Sequence, residues 1–330
     1  MLQTLCVSAE DSSPTRDNGD MMKNGRGPPC LGAERGSARI YTWAMETGRA
    51  SRTALRVAHR RAVHQILDQP PVLYDPIAIP LLGAQFSFDA ARERHPFARA
   101  ARAFMAVRSR YTEDHLAEAV ARGVAQYVVL GAGLDTFAYR NPQSSLRVFE
   151  VDFPATQAWK RILLSEARIA EPGHLTFVPL DFEHRTLAEG LAGAGFDSTR
   201  PAFFGWLGVV PYLTLQAFRS TLETIATLPA GSAVSFDFGL SRESLGFLHR
   251  LAFDALAARV AAAGEPFQLF FTPSEVETEL LRAGFHRTEL RDAAALNAMY
   301  FAARHDGLKL PSPGLGGVAT AWVGRSVVSE

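Results

Sequence analysis

Gly131-Ala132-Gly133 follows the apolar run Tyr127-Val128-Val129-Leu130 and precedes a segment with helical character, LDTFAYR. Glycine tolerates positive φ and lets backbone approach a ligand closely, so this is how a strand hands over to a nucleotide-binding turn. NAD, FAD, ATP and S-adenosylmethionine can all sit on such a turn. The full dinucleotide fingerprint G-x-G-x-x-G is broken, because its last glycine position holds Thr136, which weakens the NAD and FAD readings. Asp152, about 20 residues past the first glycine, ends the next apolar run and is placed to accept hydrogen bonds from ribose hydroxyls. Asp181 ends the run after that and is followed by Phe182; a carboxylate beside an aromatic suits the amine and flat face of adenine. Three successive strand ends thus carry adenosine-compatible groups.

Other chemistries lack their motifs. The chain has no GxxxxGK[ST], no GxSxG and no HExxH. Its nine histidines are scattered without metal-ligand spacing, so no metal is expected. Arg52, Arg56 and Arg60 recur every four residues on one predicted helix face, which reads as a solvated face or as a contact for an acidic substrate.

The elements that must position these residues alternate. Strands are predicted at 126–131, 146–152, 174–181, 201–210 and 232–239, each followed by a helix, the last of them spanning about 243–263. Two closing strands are predicted at 285–292 and 320–327. Upstream, helices are predicted at 51–68 and 97–122. Strands alternating with helices imply a doubly wound, mostly parallel sheet covered on both faces, with ligands beyond the carboxyl ends of its strands. Residues 1–44 lack apolar periodicity and read as a disordered tail. Residues 45–123 read as an N-terminal helical cap, and 124–330 as the cofactor-binding core.

The chain has 330 residues, 47% hydrophobic and 21% charged, with Lys+Arg and Asp+Glu both 34. Zero net charge argues against a nucleic-acid partner. No run is long enough to span a bilayer, and the start resembles no secretory signal. The two cysteines, Cys6 and Cys30, form no metal or disulfide framework. A cytoplasmic location follows as an expectation; oligomeric state is not readable.

The flanking text is more specific: RSRYTEDHLAEAV, QYVVLGAGLDTFAYR, RVFEVDFPATQAWKR and FVPLDF. Together they resemble the leucine carboxyl methyltransferase family, across about residues 50–300. The resemblance implies an α/β, Rossmann-like class I methyltransferase using S-adenosylmethionine. It implies that Arg108 or Arg110 meets the cofactor carboxylate. Gly131-Ala132-Gly133 would border the methionine part, Asp152 hold the ribose, and Asp181 with Phe182 the adenine. One departure is plain: where relatives carry a glutamate after the fourth strand, this chain reads Phe204-Gly205-Trp206-Leu207-Gly208, before a retained Tyr212-Leu213 pair. Trp206 could wall the cofactor site there, or simply pack in the core. The implied reaction is O-methylation of a small-molecule carboxylate or hydroxyl, as in secondary metabolism. A carboxylate acceptor needs no base; a phenol would call on a histidine or Tyr212. A nicotinamide-dependent oxidoreductase and a non-catalytic adenosine-binding scaffold are the alternatives.

Overall fold

Strands buried on both faces must be apolar at nearly every position, and β1 (Gln126–Leu130) is buried at all five residues. The computed structural model describes residues 52–324 except 182–183, 248–249, 252, 255–256 and 259–266. The expected tail at 1–44, Phe182 and about half of the helix expected over 243–263 lie outside the described residues. The other strands are β2 (Arg147–Asp152), β3 (Leu175–Pro179), β4 (Phe203–Trp206), β5 (Ala233–Gly239), β6 (Arg287–Arg291) and β7 (Gly316–Trp322). They form one sheet in the order β3-β2-β1-β4-β5-β7-β6. The first five are mutually parallel, and β7 runs antiparallel to both β5 and β6. This is the doubly wound, mostly parallel class I methyltransferase arrangement that the resemblance implies. The strand order reverses between β1 and β4, so their carboxyl ends flank the crevice where such sheets bind ligands.

The helices described over their whole length are α1 (Arg52–Leu67), α2 (Ala78–Leu82), α3 (Ala90–Glu93), α4 (Pro96–Ala121), α5 (Phe137–Arg140), α6 (Pro154–Glu166), α7 (Leu187–Gly193), α8 (Leu215–Ala226), α9 (Pro273–Ala283) and α10 (Ala293–Tyr300). Side chains alternate across the strands. Val128, Leu130, Phe149, Val151 and Phe204 face a core shared with α7, α8 and α9. Tyr127, Val129, Val148 and Phe203 face Leu116 and Ala119 of α4 and Phe137 of α5. Two strands depart furthest from their predicted spans. β4 ends at Trp206 because the chain turns through Gly208 (φ 73°) into a tight turn at Val210–Tyr212. β7 begins at Gly316, four residues earlier than predicted.

In the predicted cap region, α1 is tied to α4 by buried charge. Asp68 accepts from Arg102 Nε and Nη2 at 3.0 and 3.1 Å and pairs with His64 Nδ1 at 2.9 Å. Arg56 of the predicted basic face is exposed. The helix α4 lies directly on the sheet, where Thr112 Oγ1 and Ser235 Oγ of β5 are 3.0 Å apart.

The EVDFP-x-x-x-x-x-K segment has a structural meaning. Proline at the first turn starts α6 without wasting an amide, and the helix carries Lys160 back to β2. Its Nζ lies 2.5 Å from Glu150 Oε2, with both side chains 1% exposed. Burial lifts the Glu150 carboxyl to about 7, although the Lys160 ammonium pulls the other way. A folded-state value above the ordinary 4.5 means that the fold prefers the protonated acid. This contribution is therefore full below about pH 4.5 and is lost as pH rises through about 7, by at most about 3 kcal/mol. Urea midpoints measured across that window should decline with rising pH in the natural chain, and Glu150→Gln should flatten this component. Lys160→Met, which strands the acid, should cost roughly 3–5 kcal/mol.

Candidate active site

The loop after β1 is built from backbone that only glycine adopts easily. Gly131 and Gly133 sit at φ 65° and 49°. The Gly131 and Ala132 amides both donate to the Val151 carbonyl, at 2.9 and 3.1 Å. A Cβ at Gly131 would run into Val209 Cγ2, and one at Gly133 would lie 3.1 Å from Ala54 Cβ of α1. Asp152, at the end of β2, fastens this loop. Its Oδ2 accepts from the Gly133 amide at 2.5 Å and its Oδ1 from the Phe153 amide at 2.6 Å. Burial pushes this carboxyl up, and the two amide hydrogen bonds pull it down without cancelling the rise. Each oxygen keeps a further lone pair for a ligand hydroxyl.

A second layer holds the loop from above. Asp75, fully buried, accepts from Thr136 Oγ1 at 2.7 Å and from the Ile77 and Ala78 amides at 3.2 and 3.1 Å. Arg61 of α1 and Arg140 of α5 approach it to 3.6 and 3.7 Å. Arg61 also donates to the Leu134 carbonyl at 2.5 Å and to Asp135 at 3.3 Å. Arg140 forms a forked pair with Glu113 of α4 at 2.7 and 2.5 Å. Burial raises the Asp135 carboxyl, yet Arg61, Lys160 and Arg140 together hold it below its ordinary value. Thr136, which breaks the dinucleotide fingerprint, is thus a hydrogen-bonding member of this clasp. Asp75, Arg61 and Glu113 carry no motif in the sequence, and no local signal marks them.

The two candidate arginines separate. Residues two apart on a helix point about 200° apart, and only Arg108 faces the sheet. It is buried, and its Nη1 donates to Asp237 Oδ2 of β5 at 2.7 Å. Asp237 Oδ1 accepts from the Gly208 amide at 2.6 Å. A Cβ at Gly208 would lie 2.9 Å from Arg108 Nη2. Arg108 Nε is buried with no hydrogen-bond partner. Arg110 instead pairs with Asp114 at 2.8 Å, about half exposed. It lines two surface hollows of about 240 and 360 Å³ whose walls include none of the glycine loop, Asp152 or Asp237. The structure does not bring Arg110 to the carboxyl ends of the strands, because its helix position points it outward.

The stretch after β4 is closely packed. Gly205 leaves room for the Tyr127 ring, which a Cβ would strike at the hydroxyl. Gly208 leaves room for the Arg108 guanidinium. Trp206, expected as a possible wall of the cofactor site, is core instead. It is 3% exposed and stacks on Phe218 at 5.6 Å and 17°. The alternation of β4 turns it toward α8. Asp181 follows β3 as expected, half-buried, with His184 Nδ1 3.8 Å from its Oδ2. Tyr212 is half-buried in the turn after β4. Its ring centroid lies 5.3 Å from that of Phe267, and its carbonyl accepts from Gln268 Nε2 at 3.0 Å. Among the described residues, no group of three or more His, Cys, Asp or Glu is placed to hold a metal ion. No described helix is long and apolar enough to cross a membrane.

Comparison with known proteins bears on the family and the fold. A model of the leucine carboxyl methyltransferase family matches residues 54–226. YktD of Bacillus subtilis (strain 168), named as a candidate S-adenosyl-L-methionine-dependent methyltransferase, is 38% identical over 208 residues, which are 61% of this chain and 67% of that one. A similarly named protein of Frankia alni is 31% identical over 221 residues, 64% of this chain and 74% of its own. The solved structure of a candidate methyltransferase from Thermobifida fusca shares the fold with a TM-score of 0.51, at 20% identity, covering 74% of this chain and 92% of that one.

The loop's tight fit against Val209 can be tested directly. Gly131→Ala combines positive φ with a steric clash and should destabilise by roughly 1–3 kcal/mol. Adding Val209→Ala should restore the steric part and leave the backbone part, as read from denaturant midpoints of the two variants.

Proposed function

The chain belongs to the leucine carboxyl methyltransferase family, and from that premise we propose that it methylates an oxygen of a small molecule, a carboxylate in preference to a hydroxyl. It is an S-adenosylmethionine-dependent methyltransferase. The family assignment sets aside the nicotinamide and scaffold alternatives.

The observation that carries the site assignment is the unpartnered, buried Nε of Arg108 at the carboxyl ends of β4 and β5. A buried donor without an acceptor is costly, and a carboxylate supplied by the cofactor's methionine end would satisfy it. Val209 packs on Gly131 while its neighbour Gly208 abuts Arg108. The glycine loop and the arginine therefore stand on either side of two consecutive residues. The donor set fits the cofactor: Arg108 for the carboxylate, Gly131-Ala132-Gly133 for close backbone approach, Asp152 for the ribose and Asp181 for the adenine amine. Phe182 remains the proposed adenine neighbour. Residues 45–123 are kept as the proposed cap region, within which α4 packs on the sheet, and Tyr212 is kept as the acid–base group for a hydroxyl acceptor.

When bound, the cofactor supplies a methyl group on a sulfonium, which an ionised oxygen displaces in line. The protein's share is alignment and exclusion of water. A carboxylate arrives already ionised at neutral pH, so no base is required of the chain, and none was evident in the sequence near the cofactor loop. That is what favours a carboxylate over a phenol.

Two measurements check this reading. Asp152→Ala should weaken S-adenosylhomocysteine binding by roughly 1.5–3 kcal/mol, the range for a charged hydrogen bond. Unchanged affinity in a folded variant would remove Asp152 from the site. A screen of acids and phenols with methyl-labelled cofactor should yield an ester that releases methanol in base. With chemistry limiting, kcat should be nearly flat from about pH 6 to 9, because a carboxylate with a pKa of about 4 is ionised throughout. A base-stable ether, formed at a rate climbing steeply with pH, would overturn the carboxylate acceptor and leave the methyltransferase assignment standing.

A further inference from the structure

Asp237 lies in the stretch SFDFG, a plain strand with no motif of its own. It is buried near the carboxyl end of β5 and makes two bonds. One oxygen takes the Gly208 amide at 2.6 Å and the other takes Arg108 Nη1 at 2.7 Å. The carboxylate thus bridges the turn after β4 to a side chain from α4. Both partners of the ion pair are 6% exposed.

The arrangement leaves the arginine half-used in a definite way. A guanidinium offers its five N–H groups in fixed, planar directions, and its Nε and Nη2 donors form one parallel fork. Nη1, on the other side, is taken by Asp237. Nε is buried and unpartnered, and no hydrogen bond from Nη2 is present among the described residues. Phe104 stands beside the guanidinium, 6.0 Å from ring centroid to Cζ. Gly208 also bounds it, where a Cβ would come within 2.9 Å of Nη2. A long, flexible side chain is therefore held at one end by a charge, with one planar edge spare.

We propose that Asp237 is a positioning residue for the methyl donor: it clamps Arg108 against the Gly208 backbone so that the Nε/Nη2 edge receives the α-carboxylate of S-adenosylmethionine. This rests on the cofactor site assigned above. Asp237 touches no reacting atom. It acts through Arg108, and the glycine at 208 belongs to the same device because it gives the guanidinium its seat.

The test compares two ligands that differ at the carboxylate end. S-adenosylhomocysteine carries the amino-acid group; 5′-methylthioadenosine has the same nucleoside and thioether without it. Binding of both is measured by calorimetry on the full chain carrying Asp237→Asn, Arg108→Lys, the double substitution, or Gly208→Ala. Asp237→Asn keeps an acceptor for the Gly208 amide and removes the charge facing Arg108. It should weaken S-adenosylhomocysteine roughly tenfold or more, the scale of a charge-assisted hydrogen bond, and leave 5′-methylthioadenosine within about twofold. The double substitution should cost little more than Arg108→Lys alone, because both act on one interaction. Gly208→Ala leaves Asp237 in place and should show the same ligand-selective loss, which keeps the proposal testable if Asp237→Asn does not fold. Equal loss of both ligands, additive losses in the double variant, or tighter S-adenosylhomocysteine binding in Asp237→Asn would overturn the positioning role while the cofactor site stands. Failure of the unsubstituted protein to bind either ligand would overturn the cofactor site and the positioning role with it.

Discussion

A buried carboxylate with no solvent must be satisfied by the chain, and Asp75 is where this fold meets that demand. It is fully buried, and its acceptors are met by Thr136, by the amides of its own turn, and by the cations Arg61 and Arg140. Those partners come from α1, from the turn before α2, and from the segment after the glycine loop. Arg140 carries the connection on to Glu113 of α4. The positive-φ glycines are therefore set by a charge network as well as by their own freedom. A backbone conformation away from the common wells persists only where its surroundings over-determine it. Here the surroundings are three segments joined by Asp75 and a fourth joined through Arg140 and Glu113.

Groups that act through local backbone were legible in the sequence, and groups that act across the fold were not. The glycine loop could be found because two glycines after an apolar run ask for positive φ, and both have it. Asp152 could be found because acids at strand ends meet ribose, yet its two observed partners are the Gly133 and Phe153 amides. The direction of an N–H is a property of the folded turn, so this fastening of the loop left no trace. Arg108 and Arg110 were indistinguishable as letters. Helix geometry and the position of the sheet separate them, and only the first is buried. Asp237 and Asp75 were missed because nothing near them in the chain identifies their partners. One signal was present and unread: Thr272, Pro273, Glu275 and Gly284 are the start and stop signs of α9, with a complete capping box and a left-handed C-cap.

The stretch after β4 shows how a departure from a family pattern can be compensated. At Gly205 and Gly208 this protein keeps two positions without a Cβ. One admits Tyr127 from β1 and the other admits Arg108 from α4. The absence of a Cβ at 208 and the presence of a carboxylate at 237 are two halves of one solution for seating the same guanidinium. The Glu150–Lys160 pair is a contrasting case, since a motif that resembles a site signature ties β2 to α6 instead.

The pairing of Arg108 with Asp237 has a bearing on how the protein comes into being. The two residues are separated by 129 positions, and the region matched by the family model stops at residue 226, before β5 begins. A chain emerging from the ribosome can close its glycine loop and the Asp75 clasp from segments already made. Its arginine has no anchor until the fifth strand has been synthesised and has entered the sheet. With Arg108 in the proposed role, cofactor competence is a late event that waits on a long-range contact, and long loops close slowly. A fragment cut to the boundaries of the family match would hold the nucleotide loop and lack the residue that orients its cation.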